Sequence, residues 1–171
     1  EANAADLVII SRNNNSGEYD NGTSVSKWTQ VTTPILALSP YVIRNNRMKW
    51  LQAADNGLTE FSRSDWVIRD PSDPAFAGLG LAVDDVIDSS LGSASLNNGQ
   101  SAASVGNGTI LAVATADNAQ LAMARWDADT PFYDGGATPA GPRVFYAAGS
   151  GGANPAPGLY NLTTVGEQLF L

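Results

Sequence analysis

Carboxylates and aromatic side chains occur together in one stretch of the sequence, a combination typical of proteins that bind or cleave carbohydrate. Two carboxylates about 5–10 Å apart across a cleft can hydrolyse a glycosidic bond, and neighbouring aromatic rings can stack on the sugar. The residues of this group are Trp126, Asp127, Asp129, Phe132, Tyr133 and Asp134. A carbohydrate-active hydrolase or carbohydrate-binding domain is therefore the alternative functional hypothesis.

A second polar group follows the first apolar run of the chain. Its residues are Ser11, Arg12, Ser16, Glu18 and Tyr19. Because ligands of open α/β sheets bind at the carboxyl ends of the strands, this group is a candidate ligand-binding site. In the competing structural interpretation, the Asn and Gly residues shape a loop and Arg12 pairs with a carboxylate.

The sequence contains no His and no Cys. Ser-His-Asp and Cys-His catalysis and ordinary zinc sites are therefore excluded within this chain, and we assign no catalytic residue and no metal ligand. Ser150 lies in a glycine-rich run, but the spacing matches neither a nucleophile elbow nor a phosphate-binding P-loop.

The charge of the chain limits its partners. Its 9 Lys and Arg residues against 17 Asp and Glu residues give a net charge of -8, which disfavours nucleic acid and anionic membranes. No apolar run approaches the roughly 18 residues that membrane insertion requires. Arg44, Arg47 and Lys49 form a basic cluster beside Trp50, where an anion or a sugar could bind, although a solvated basic face is the simpler interpretation.

No cofactor is predicted, with calcium as the one possibility. Asp84, Asp85 and Asp88 offer oxygen ligands, but their spacing matches no EF-hand loop, and solvation of these side chains is the simpler interpretation.

Residues 6–43 have the pattern of a β-α-β unit. Two short apolar runs, at 7–10 and 35–38, are separated by a polar loop and by a segment with Val25, Trp28 and Val31 at three-residue spacing. Continuous apolar runs favour strands that are buried on both faces of a parallel sheet, and the spacing in between predicts a helix.

The remaining sequence predicts the rest of one sheet. We expect strands near 7–11, 34–39, 109–115, 120–126 and 143–148, a short strand at 66–68, and a loop over 91–108. The turn at Asp117 and Asn118 predicts an antiparallel hairpin, so the sheet should be mixed. Thr164 and Glu167 predict the start of a final helix.

Five segments together resemble the secreted bacterial ThuA-like branch of the class I glutamine-amidotransferase-like fold. They are DLVIISR (6–12), PILALSPY (34–41), DPAFAG (73–78), RVFY (143–146) and GLYNLTTVGEQLF (158–170). The resemblance implies a flavodoxin-like α/β domain over 1–171, with a central, mostly parallel sheet and flanking helices. The catalytic Cys and His of the amidotransferases have no counterpart here.

The functional hypothesis that follows is a non-catalytic structural or interaction module of an extracellular or cell-surface bacterial protein. We also expect the domain to be incomplete at both ends, because the run at 7–10 is apolar on both faces and should lie inside a sheet. A neighbouring polypeptide segment or subunit would then complete the sheet beside this strand.

Overall fold

The computed structural model describes residues 2–11, 14–19, 23–52, 59–61, 65–88, 90–91, 97–115, 117–147 and 161–169. In these ranges the α-helices are α1 (Thr23–Thr29) and α2 (Thr164–Gln168), and short 3₁₀ helices lie at Ala2–Ala4, Ser16–Tyr19, Pro74–Phe76 and Ala102–Ser104. The strands are β1 (Val8–Ile10), β2 (Ile35–Ala37), β3 (Thr59–Phe61), β4 (Asp65–Ile68), β5 (Val86–Asp88), β6 (Ser90–Leu91), β7 (Asn97–Ser101), β8 (Thr109–Ala114), β9 (Asp117–Trp126), β10 (Arg143–Tyr146) and β11 (Asn161–Leu162).

The first two strands and α1 form the predicted β-α-β unit. β1 and β2 are parallel neighbours, with Val8 opposite Ile35 and Ile10 opposite Ala37. Ile10, Ile35 and Ala37 are buried, as is Val25 on the predicted apolar stripe of α1. Burial of these side chains on one face of the two strands provides the hydrophobic contribution that stabilises this short unit.

The complete sheet is mostly antiparallel, so the predicted flavodoxin-like architecture is wrong. The strand order is β1-β2-β10-β9-β8-β4-β5. Of the described pairs in this order, β1–β2 and β2–β10 are parallel, and the others are antiparallel. A flavodoxin-like domain places helices over both faces of a parallel sheet, whereas strands dominate here and both helices are short.

Short connections explain the antiparallel half of the sheet. β8 ends at Ala114 and β9 begins at Asp117, and a parallel crossover would need about a dozen residues or more. The predicted hairpin is therefore confirmed, and so is the mixed character of the sheet. The predicted short strand at 66–68 is also confirmed as part of β4, which pairs antiparallel with β5 and β8.

β7 lies in the segment that was expected to be a loop. Its first residues pair with β3, and Gln100 and Ser101 pair with β9. Leu121 of β9 pairs with Gln100 and also with Val113 of β8, so β7 borders the edge of β9 that β10 occupies further along. β6 and β11 form a separate two-stranded sheet.

Both helices are short, and the cap of α2 differs from the prediction. The Gly166 N–H donates to Thr163 Oγ1 at 3.0 Å, so the capping side chain is one residue earlier than the predicted Thr164. Within the described ranges, the structure contains no helix with the length and apolar character needed to cross a membrane.

Candidate functional site

Ser16, Arg44 and Arg47 meet beyond the carboxyl ends of the parallel strands β1 and β2. Ser16 belongs to the loop after β1, and the two arginines belong to the loop after β2. Arg44 Nη2 and Arg47 Nε each donate to Ser16 Oγ at 3.4 Å. The sequence predicted Ser16 as a site residue and noted the arginines separately; the pairing of β1 with β2 is what brings them together.

Main-chain contacts orient both guanidinium groups of this cluster. Arg44 Nε donates to the Tyr41 carbonyl at 2.9 Å, and the guanidinium lies 5.4 Å from the centre of the Tyr41 ring. Arg47 Nη1 donates to the Asn46 carbonyl at 2.9 Å. Lys49 has a φ of 61° and its N–H donates to the Arg44 carbonyl at 2.9 Å, so the loop folds back on itself.

The other described residues of the predicted loop group differ in their exposure and in their contacts. Ser11 is exposed, and its main-chain carbonyl accepts a 3.0 Å hydrogen bond from Asn14 Nδ2. Glu18 is exposed, whereas Tyr19 is partly buried against Trp28, with the ring centres 5.8 Å apart. Burial and, to a smaller extent, the charge of Glu18 raise the pKa of Tyr19. Arg12 lies outside the described residues.

The rings of the predicted carbohydrate group face the core. Trp126 is 1% exposed and Phe132 is 0% exposed. Trp126, Phe132 and Trp50 contact one another with ring centres 5.7–6.2 Å apart, and Trp126 Nε1 donates to the Val105 carbonyl at 3.0 Å. These three rings offer no face on which a sugar could stack, and Tyr133 is the partly exposed aromatic residue of the group.

The carboxylates of that group point away from the buried rings. Asp127, Asp129 and Asp134 are exposed, and Arg125 Nε lies 3.2 Å from Asp127 Oδ1. Arg125 also pairs with Asp73, whose Oδ2 is 2.5 Å from Nη1. The structure therefore separates the acids from Trp126 and Phe132, although the sequence places them side by side.

The acidic cluster predicted as a possible calcium site is engaged in local contacts. Arg69 forms an ion pair with Asp84, and Asp85 Oδ2 accepts a 2.8 Å hydrogen bond from the Ala82 N–H. Among the described residues, no three acidic side chains converge in an arrangement that could hold a metal ion.

Two surface depressions lined by described residues lie elsewhere. One, of about 270 Å³, is lined by Ala2, Asn3, Lys27, Gln30 and Val31. The other, of about 210 Å³, is lined by Gln52, Ser101, Ala103 and Ser104. Neither lining contains a carboxylate, so neither depression supplies the acid pair that a glycosidase needs.

Among the described residues, no strand pairs with the outer edge of β1. Val8 N–H donates to the Pro34 carbonyl at 3.0 Å, and the Ile10 carbonyl accepts from Leu38 N–H at 3.0 Å. Because main-chain groups alternate in direction along a strand, the N–H and C=O of Ile9 point away from β2. The Ile9 and Leu7 side chains are 50% and 47% exposed.

The open edge corrects one prediction. β1 was expected inside a sheet because the run at 7–10 is apolar, but it is the terminal strand of the described order. Its apolar composition still distinguishes it from ordinary edge strands, which carry charged residues, Pro or bulges. The apolar run was the sequence signal for this surface.

Comparison of the chain with protein-family models, with curated proteins and with solved structures found no significant match. The resemblance to the ThuA-like branch therefore stays a prediction. Function has to be inferred from the two surfaces described above, the open edge of β1 and the Ser16, Arg44 and Arg47 cluster.

Proposed function

We propose that this chain is a non-catalytic interaction module of an extracellular or cell-surface bacterial protein, and that it binds an extended segment of another polypeptide along β1. The observation that carries the proposal is the orientation of Ile9. Its main-chain N–H and C=O face the open edge, and its side chain is 50% exposed. A strand added there would form hydrogen bonds with the N–H and C=O of Ile9, which point away from β2.

The absence of edge protection supports this proposal. β1 consists of Val8, Ile9 and Ile10, without the Lys, Pro or bulge that usually blocks pairing with another chain. The strand at the other end of the order differs, because the Asp88 carbonyl of β5 accepts a 2.5 Å hydrogen bond from Thr163 Oγ1. The chain's own residues therefore contact β5, whereas no described residue pairs with the outer side of β1.

Side chains beside the edge indicate the chemistry of the partner. Ile9 lies opposite Leu36, which lies opposite Val144 of β10. These three side chains form a cross-strand row, with Ile9 exposed and the other two partly buried. A partner strand with apolar residues at alternate positions would extend this row and bury it, since burial of apolar area favours association.

The chemistry of the chain supports a binding role over a catalytic one. Without His or Cys, the chain lacks the imidazole that most often acts as a general base and the thiolate nucleophile. The buried position of Trp126 and Phe132 leaves Tyr133 as the partly exposed ring of that group, which weakens the carbohydrate hypothesis. The extracellular assignment is supported by the resemblance to secreted bacterial domains.

A peptide-binding experiment tests the proposal. A labelled six-residue peptide of alternating valine and threonine is titrated into the chain, together with the same peptide N-methylated at every residue. We expect the first peptide to bind and the methylated peptide to fail, because it lacks the N–H groups that form a strand pair.

Two proline variants provide matched controls. Ile9→Pro removes an N–H that faces outward, so the fold should survive while peptide binding is lost. Ile10→Pro removes an N–H that faces β2 and should destabilise the fold itself. Equal peptide affinity for the wild type and Ile9→Pro would contradict the proposal.

A further inference from the structure

We propose that Ser16, Arg44 and Arg47 form a binding site for a tetrahedral oxyanion, a phosphate or sulfate group. The inference is independent of strand binding at β1, since it depends on different residues. A ligand bearing such a group would sit beyond the carboxyl ends of β1 and β2, which is where α/β sheets place their ligands.

The geometry around Ser16 supports an anion. Two like-charged guanidinium groups approach one hydroxyl oxygen, each at 3.4 Å, which is long for a hydrogen bond. An oxyanion near the hydroxyl would accept shorter, charge-assisted bonds from both groups. The Ser16 hydroxyl could then donate to the anion instead of accepting from the arginines.

The orientation of the arginines adds to this argument. Arg44 Nε and Arg47 Nη1 are held by the carbonyls of Tyr41 and Asn46 at 2.9 Å. Each arginine also has further partners within the chain, so an anion has to compete with them. The proposal therefore rests on the convergence and fixed orientation of the two groups, which lower the entropic cost of binding.

The distribution of charge points to the same place. Three of the chain's 9 basic residues, Arg44, Arg47 and Lys49, occur within six positions of a chain whose net charge is -8. Lys49 is exposed beside the two arginines in sequence. Basic side chains concentrated in one loop of an acidic chain attract an anion more strongly than its other segments do.

Two Arg residues favour a tetrahedral anion. A phosphate or sulfate group carries up to two negative charges and presents its oxygens in several directions, so it can bind both guanidinium groups and the Ser16 hydroxyl at once. A carboxylate offers one charge and two oxygens in a single plane.

Anion titrations followed by NMR test the site. Inorganic phosphate, sulfate and acetate are added separately at constant ionic strength, with chloride as the balancing salt. The signals of the Arg44 and Arg47 Nε–H groups report binding directly in the wild-type chain, so the test does not depend on a variant that folds. We expect saturable shifts of both signals with phosphate or sulfate.

Variants test which residues are responsible. Arg47→Gln should weaken anion binding by about tenfold or more, because it removes one of the two charges. Arg69→Gln is the matched control: Arg69 pairs with Asp84 on another part of the surface, and its loss should leave the affinity within about twofold. Thermal unfolding of each variant verifies that it is folded.

The outcomes are distinct. Tighter binding of phosphate would assign a phosphorylated ligand, and tighter binding of sulfate a sulfated one; either supports the site. The proposal is overturned if no anion shifts the two signals beyond the chloride baseline, if acetate binds as tightly as the tighter of phosphate and sulfate, or if Arg47→Gln binds as the wild type does.

Discussion

The Arg143 guanidinium donates a 2.7 Å hydrogen bond from Nη2 to the main-chain carbonyl of Val31, which links β10 to the segment between α1 and β2. The same group donates to the carbonyls of Trp28 at 3.0 Å and Gly141 at 2.9 Å. Arg143 is 0% exposed, and burial lowers its pKa to about 10, so it remains charged at neutral pH. A buried cation thus satisfies carbonyls in the last turn of α1, in the segment after it and in the loop before β10.

Replacement of Arg143 by Met should destabilise the fold by about 3 kcal/mol or more, because several buried carbonyls lose their donor. Arg143→Lys should retain part of the stability, since an ammonium group reaches fewer carbonyls. Urea unfolding followed by tryptophan fluorescence measures both changes. Arg69→Met, which breaks an exposed ion pair, is the control and should cost less than about 1 kcal/mol. A similar loss for Arg69→Met and Arg143→Met would show that the buried network contributes little.

Gly141 permits close contact between two loops. A Cβ added at this residue would overlap the main-chain carbonyl of Thr32, so Gly141→Ala should force the loops apart and cost about 2 kcal/mol or more. Gly17→Ala is the control, since its nearest neighbour is the Asn15 side chain at 3.2 Å, which can move. Chemical denaturation of the two variants gives the comparison, and an unchanged midpoint for Gly141→Ala would contradict the described packing.

The environment of the four tryptophans can be tested with a quencher. Trp50, Trp66 and Trp126 are at most 1% exposed, whereas Trp28 is partly exposed on α1. Acrylamide should therefore quench mainly the Trp28 fluorescence, and Trp28→Phe should remove most of the quenchable signal. A strongly quenchable Trp126 would reopen the carbohydrate hypothesis, because it would make a ring face available.

Local sequence patterns predicted the strands better than their partners. The apolar runs at 7–10 and 35–38 correctly indicated a β-α-β unit. The predicted hairpin is also present, but Asp117 and Asn118, which were predicted as its turn, lie in β9, and Asp117 pairs with Ala114. The arrangement of the whole sheet depended on pairings between distant segments, such as β10 with both β2 and β9, and a single sequence does not reveal these. The family resemblance supplied a parallel topology in their place, and that topology is wrong.

The same limitation applies to the candidate sites. β7 was missed because Asn, Gly and Gln have low strand propensity, and pairing with β9 overrides that preference. Trp126 and Phe132 were assigned to a surface because Asp residues surround them in sequence, yet both pack on Trp50. Ser16 and Arg44 are 28 residues apart, so their convergence could not be read from spacing.

The ionisation of Tyr19 should occur above its ordinary pKa of 10.0, since burial and then the Glu18 charge raise its pKa. The neutral phenol is favoured in the folded state, so its contribution to the unfolding free energy is complete below pH 10.0. That contribution declines as the pH rises through the raised pKa.

NMR titration of ¹³C-labelled tyrosine measures this shift, and Tyr19→Phe assigns the signal. Glu18→Gln should lower the pKa of Tyr19 but leave it above the ordinary value, because burial remains. Ionisation of Tyr19 at or below pH 10.0 in the wild type would contradict the described packing against Trp28.

Amide hydrogen exchange at Ile9 tests the open edge of β1 most directly. In the free monomeric chain, the Ile9 N–H should exchange at nearly the rate of an unstructured amide, while the inward-facing N–H groups of Val8 and Ile10 are protected by β2. Saturation with the alternating valine and threonine peptide should slow exchange at Ile9 by about tenfold or more and leave Val8 and Ile10 protected. Protection of Ile9 equal to that of Ile10 in the free monomer, or no change at Ile9 when peptide is added, would contradict the account.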